Sequence, residues 1–142
     1  MQTNVKKKKC VLVIDSELPL GLIANTAMIL GYSLGNYTDD FMGSDILDGS
    51  GQWHLGITTT PIPVLKGSKE KIKELRDKTT CEDFTDLMVV DFSNIAQQCL
   101  TYDEYIKEAS KRFKDDFEYL GIAIYGESKK VNKLTGSMPL LR

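Results

Sequence analysis

Lys9-Cys-Val-Leu-Val-Ile-Asp-Ser-Glu-Leu-Pro-Leu-Gly-Leu-Ile-Ala-Asn-Thr-Ala-Met-Ile-Leu-Gly-Tyr32 is the stretch that sets the architecture. Val11 to Ile14 is a continuous apolar run rich in β-branched residues, as expected of a strand covered on both faces. Asp15, Ser16 and Glu17 read as a polar turn. Pro19 has a fixed φ suited to the first turn of a helix. From Leu20 to Leu30 the chain is apolar almost all round, with Asn25 and Thr26 as exceptions, which predicts a buried helix. Gly31 is placed to end it.

The rest of the chain alternates in the same manner. Residues 33–56 are rich in Gly, Asp and Ser and predict a long irregular connection of the kind that carries function or moves. Ile57 to Leu65 predicts a second strand, at an edge or starting late, because Pro61 and Pro63 cannot donate to a ladder. Ser68 caps a helix reaching about Asp77, with Ile72 and Leu75 inward. Leu87 to Phe92 is the third strand. Thr101-Tyr-Asp-Glu104 is a capping box, followed by a narrow stripe of Ile106, Ala109 and Phe113. Tyr119 to Tyr125 is the fourth strand, and Val131 to Arg142 reads as a non-periodic tail with a Thr-Gly turn and an apolar finish. The β-α-β-α-β-α-β order predicts an α/β fold with helices on both faces of one sheet, as a single domain over 1–142. No internal repeat or linker interrupts it.

Composition narrows the function classes. A chain of 142 residues can bury a full core without disulfide or metal. A net charge of -2 argues against nucleic acid as a partner, which usually shows as a basic domain. Lys6 to Lys9, the densest positive run, precede the first strand and read as solvated, with residues 1–8 as an N-terminal arm. No stretch approaches a membrane span, and Asp15 and Glu17 interrupt any signal-type apolar run. Cys10, Cys81 and Cys99 lack metal-type spacing and read as reduced, which points to the cytoplasm. Neither a cofactor nor a metal site is expected, because the chain has one histidine and scattered cysteines. A two-fold homodimer is the default for a small domain with long loops.

Several segments carry a resemblance. The Val-Leu-Val-Ile strand, the turn with Glu17-Leu18, Gly21 and the long helix ending Leu-Gly resemble the type II peptidyl-tRNA hydrolase fold. So do Gly121-Ile-Ala-Ile-Tyr-Gly126 and Lys133-Leu-Thr-Gly136. That resemblance implies a three-layer α-β-α sandwich on a four-stranded mixed sheet. More closely, Leu18-Pro-Leu-Gly-Leu-Ile-Ala-Asn-Thr-Ala27 and Leu134-Thr-Gly-Ser-Met-Pro-Leu-Leu-Arg142 resemble an uncharacterised bacterial family, domain of unknown function 2000, over roughly residues 8 to 142. The hydrolase resemblance implies an active-site carboxylate at Asp91 and a Thr-Gly turn at Thr135. It also exposes departures. Where the hydrolase carries a basic residue after the first strand and lysines at the head of the first helix, this chain has Asp15, Leu22 and Ala24. Phosphate contacts depend on such cations. The charge here suits a small neutral or cationic polar ligand instead.

The candidate residues follow from these placements. Ligands of an open α/β sheet sit beyond the C-terminal ends of strands. Asp15, Ser16 and Glu17 lie beyond the first strand, and Asp91, Ser93 and Asn94 at the third strand's end. If those strands are parallel neighbours, the clusters share a rim, and paired carboxylates could serve as acid and base. Alternatively, each carboxylate bonds its own loop N–H groups. Gly21 and Asn25 belong to the same rim, with Asn25 facing a ligand or anchoring a loop. His54, the sole imidazole, is either the partner of a Ser or Cys nucleophile or a structural hydrogen-bonder. The Asp48-Gly-Ser-Gly51 loop could cradle an anion, and Trp53 could pin the loop as an anchor. Two functions remain: a polar-ligand-binding or regulatory module, or a hydrolase of peptidyl-tRNA or a smaller acyl or amide substrate using Asp91, Thr135 and His54.

Overall fold

The first strand, β1 (Lys8–Asp15), is buried at every position from Cys10 to Asp15, because it runs through the middle of a sheet. β4 (Val64–Gly67) pairs with it in parallel on one side and β6 (Tyr119–Glu127) antiparallel on the other. β5 (Met88–Ser93) pairs antiparallel with the far side of β6. The sheet order is β4-β1-β6-β5, a four-stranded mixed sheet. Near-continuous apolar runs in β1 and β6 are what two covered faces require. The computed structural model describes residues 7–142. Residues 1–6 of the expected N-terminal arm lie outside the described residues, and Lys8 already belongs to β1.

Alternate residues of the central strands feed two cores. α1 (Leu20–Gly35) covers the face carrying Cys10, Leu12, Ala123 and Tyr125, contributing Leu30 and Leu34. α2 (Lys69–Lys78) and α5 (Ser128–Thr135) cover the opposite face, where Val11, Val13, Ile122 and Ile124 meet Ile72, Leu75 and Val131. Ile72 and Leu75 are fully buried, as their spacing indicates. Ser68 caps α2, its Oγ accepting the Lys71 N–H at 3.1 Å. α1 comes closest to the sheet over Gly121, where a Cβ would stand 2.8 Å from Thr26 Cγ2 and 3.0 Å from Leu30 Cδ1.

Several expectations are corrected. α1 runs past Gly31 to Gly35, because a helical glycine costs only about 1 kcal/mol against alanine and packing offsets it. Nor is α1 buried all round, since Leu20, Met28 and Tyr32 are exposed. Asn25 is exposed, and the buried polar residue of the helix is its neighbour Thr26. Residues 33–56 are not a loop throughout: α1 ends there, and β2 (Ile46–Leu47) and β3 (Trp53–His54) pair as an antiparallel hairpin. The second predicted strand shrinks to Val64–Gly67, beyond both prolines. The expected tail begins as helix α5, with Val131, Leu134 and Thr135 on its buried side.

Two short helices follow β5. α3 (Asn94–Gln98) starts at once from the Ser93 cap, and α4 (Tyr102–Ser110) from Thr101, whose Oγ1 accepts the Glu104 N–H at 3.1 Å. α4 buries no residue; Ile106 is exposed, and Phe113 lies beyond the helix in solvent. The final residues close one sheet edge. Leu140 bridges to Leu65, the Lys66 N–H donates to Pro139 O at 2.8 Å, and the Leu141 N–H to Val64 O at 2.9 Å. Among the described residues no helix is long and apolar enough to cross a membrane.

Candidate functional site

With β4 closed by the tail, β5 is the remaining edge. Successive strand residues point to opposite faces, so a cavity touching one face meets every second residue. The largest crevice beside β5 touches Met88, Val89, Val90, Asp91 and Phe92 in succession. It therefore runs along the strand's open side. Ile29 and Ser33 of α1, with Tyr37 just beyond the helix, form one wall, and Cys99, Leu100, Thr101, Tyr102 and Tyr105 the wall from α3 to α4. Its volume is about 780 Å³. No backbone hydrogen bond from Met88–Phe92 runs outward among the described residues: their backbone bonds all belong to the β6 ladder. The walls exist because Ser93 starts α3 at once after the strand and Thr101 starts α4 soon after it, folding the chain back over the strand's edge.

Asp91 sits where this crevice meets a smaller one of about 340 Å³ on the α2 side, lined by Arg76, Lys114 and Tyr119. Arg76 Nε donates to Asp91 Oδ2 at 3.1 Å, and both side chains are partly exposed. The pair leaves the crevice without an uncompensated charge at this point. Tyr105 stands over both cavities. Burial raises its phenol pKa, the nearby Asp91 charge raises it further, and a hydrogen bond with Ser93 opposes them. Tyr105 is thus a neutral hydroxyl at ordinary pH, packed edge-on against Tyr102 with ring centroids 5.6 Å apart. The Cys99 thiol is pushed up by burial first and by Glu104 and Glu108 next, which keeps it protonated and a poor nucleophile. Cys10, inside the core, is pushed up to about 12 by burial.

The other predicted residues are distributed. β1 and β5 are parallel but not neighbours; β6 separates them. Asp91 lies level with Ile122 and Val13, two residues before Asp15. Asp15 is 1% exposed and its Oδ1 accepts the Glu17 N–H at 3.0 Å, so it holds its own turn. Ser16 is tied by its N–H to Gly67 O at 3.0 Å, while Glu17, Gly21 and Asn25 are exposed. Ser93 is buried and caps α3 by accepting from Ala96 N. Asn94 Oδ1 accepts the Glu118 N–H at 3.0 Å and ties α3 to the approach of β6. Thr135 is buried with Oγ1 donating to Val131 O at 2.8 Å, one turn back in α5.

His54 belongs to the hairpin and lines a separate cavity. Its Nε2 lies 2.8 Å from Asp48 Oδ2. Asp48 Oδ1 also accepts the Ser50 and Gln52 N–H groups, so the chain's own carboxylate fills the place expected to cradle an anion. The His54 bond is the first cause of the lowered Asp48 pKa, ahead of the two backbone bonds. Gly51 takes φ +81° to complete the turn. Trp53 is 66% exposed and does not pin the hairpin down. Among the described residues no three metal-type side chains gather.

Of the sequence candidates, Asp91 alone lines the β5 crevice. Ser33, Tyr37, Thr101 and the α4 tyrosines were not singled out as ligand contacts. The capping box at Thr101 was the available signal, since it fixes where α4 begins and hence what turns toward β5.

Comparison with known proteins agrees with this geometry at the level of fold. The family described as "Protein of unknown function (DUF2000)" matches residues 8–142. The chain is similar to the structure of Atu0240, a protein of unknown function from Agrobacterium tumefaciens strain C58. The TM-score is 0.82 at 17% identity, over 94% of this chain and 96% of that one. No curated protein matches the sequence significantly.

Proposed function

The chain belongs to the DUF2000 family, and from that premise we propose that it is a binding module whose ligand lies along the free edge of β5. The supporting observation is a crevice of about 780 Å³ beside a strand with no outward backbone partner. That volume falls within the usual range of ligand sites. An unpaired strand edge recognises an extended chain of amides by strand addition, through alternating N–H and C=O groups. Ser33, Thr101, Tyr102 and Tyr105 add hydroxyls along the walls. The Arg76–Asp91 pair argues for a neutral polar ligand rather than a phosphate chain. The ligand class is thus an uncharged extended peptide or peptide-like amide. The finer scaffold reading, a sandwich like that of type II peptidyl-tRNA hydrolase, is supported by the mixed sheet with helices on both faces. Three free cysteines favour a cytoplasmic setting.

The hydrolase alternative lacks a convergent set, because Asp91, His54 and Thr135 occupy the sheet edge, the hairpin and a helix interior. A pool of uncharged tetrapeptides, titrated into isotope-labelled protein, tests the binding reading. Amide resonances of Met88–Phe92 and Tyr105 are expected to shift, and backbone N-methylation of the peptides to abolish the effect. Absence of shifts at β5, or equal binding of the methylated pool, rules the reading out. Incubation with peptidyl-tRNA is expected to release no peptide. Turnover abolished by Asp91→Asn in a folded protein would establish the hydrolase instead.

A further inference from the structure

Two apolar surfaces of this chain lie uncovered, in a stretch without cations. α1 carries no charged residue. Its outward side exposes Leu20, Met28 and Tyr32 at 81, 58 and 84%, with Ala24 on the same four-residue spacing. The hairpin arm exposes Ile46, Leu47, Trp53, Leu55 and Ile57 at 54% or more. From Cys10 to Leu65 there is no Lys or Arg; all 18 lie outside that stretch. Four of its six acids accept hydrogen bonds from the chain itself. Asp15 and Asp48 close their own turns, Asp40 accepts from Tyr125, and Asp45 accepts the Gly56 N–H at 2.9 Å. The outward side of α1 is uncharged, and the arm carries acids but no Lys or Arg.

Soluble surfaces normally intersperse both charges. Depletion of charge together with Trp, Tyr and Met is the composition of an interface core. A helix apolar all round is expected to be buried all round, yet the single chain buries only one side of α1. The arm is concave, with a hollow of about 830 Å³ lined by Ile46, Leu55 and Ile57 among others. Leu20, Met28 and Tyr32 are protrusions of a size to enter such a hollow.

We propose that a second copy of this chain covers both surfaces, as a two-fold homodimer in which the arm of each copy lies over α1 of the other. A two-fold axis makes such contacts reciprocal. Because α1 carries no charge, the acidic arm of a second copy meets it without a like-charge penalty. An acidic partner would find no cation on either surface, and a basic partner no carboxylate on α1. The area is sufficient: eight large side chains exposing roughly 100 Å² each give about 800 Å² per copy, the size of a standard interface. The inference is independent of any ligand at β5.

Light scattering across a dilution series, with Trp53 emission recorded in parallel, tests it. Trp53 is the only tryptophan, so its spectrum reports on the arm alone. Expected are a mass of twice 15.9 kDa, blue-shifted emission protected from iodide, and a red shift on dilution to monomer. Met28→Glu and Leu55→Glu, both at exposed positions, should each raise the dissociation constant about 100-fold or more. Glu70→Lys on α2 should leave it unchanged. Circular dichroism shows that a variant is folded, and the wild-type dilution curve stands if one is not. A monomer at every concentration overturns the proposal. With Trp53 quenchable the surfaces are uncovered; with Trp53 protected the arm covers its own chain. A dimer untouched by both substitutions also overturns it.

Discussion

Thr26 and Gly121 show how much one atom matters at the place where α1 meets the sheet. Thr26 Oγ1 is buried without a hydrogen-bond partner, while its Cγ2 packs over Gly121. An unpaired buried hydroxyl is unfavourable, and an apolar group of the same shape removes the penalty. Thr26→Val is expected to raise unfolding stability by about 1 kcal/mol, read as a higher urea midpoint at unchanged slope. Gly121→Ala should lower it by about 1–3 kcal/mol, because the added carbon forces α1 off the sheet. The opposite result for either would mean that the helix sits differently. At this scale the sequence was a partial guide. It marked Asn25 and Thr26 together as the polar interruptions of α1, but neighbours on a helix point about 100° apart. Only the direction of packing decides that Thr26 goes in and Asn25 out. Asp15 was legible as a turn residue and Asp91 as a carboxylate of the third strand, though β5 runs on past it to Ser93. Arg76, which neutralises Asp91, comes from another element, and local pattern carries no trace of that pairing.

Among the elements, the arm depends most on a single tie. At its root, Tyr125 of β6 donates its hydroxyl to Asp40, and Phe41 packs edge-on against the same ring with centroids 5.4 Å apart. The Tyr125 bond is the first cause of the lowered Asp40 pKa. Burial first, then the Asp40 bond, push the Tyr125 phenol up to about 12. The two signs differ. The depressed Asp40 contributes stability above the ordinary carboxyl range, lost as pH falls through its lowered folded value. The raised Tyr125 contributes stability below its ordinary value of 10.0, lost as pH climbs toward about 12. Wild type minus Tyr125→Phe in melting temperature should therefore be flat between about pH 5 and 9 and shrink at both ends. A difference independent of pH throughout would detach the bond from the root of the arm. Caps were the most legible elements: Ser68 and Thr101 start helices where their side chains bond the third N–H onward. The hairpin was not, because β2 and β3 are two residues each and show no alternation to read. α5 was hidden because Val131 and Leu134 are the only apolar residues on its buried side.

Across the whole molecule, the informative fact is strand order. Alternating strands and helices led correctly to a mixed α/β fold with a four-stranded sheet and helices on both faces. Nothing local to β6 says that it enters between β1 and β5, and that insertion removes the condition, neighbouring strands, on which the two carboxylate clusters would share one rim. The tail's return along β4 was equally hidden, since it depends on a backbone pairing across the fold. Deleting Pro139–Arg142 removes the bonds to Lys66 and Val64. It is expected to cost about 1–3 kcal/mol and to release the Lys66 amide to solvent exchange. Retained protection would mean that the tail does not seal that edge. The sealing has a consequence for growth. An endless cross-β fibre requires each unit to offer two open flanks, one to receive and one to pass on. Here one flank is taken by the chain itself, so strand-to-strand joining through β5 stops at a pair, and filament extension is blocked for as long as Leu140 stays on Leu65.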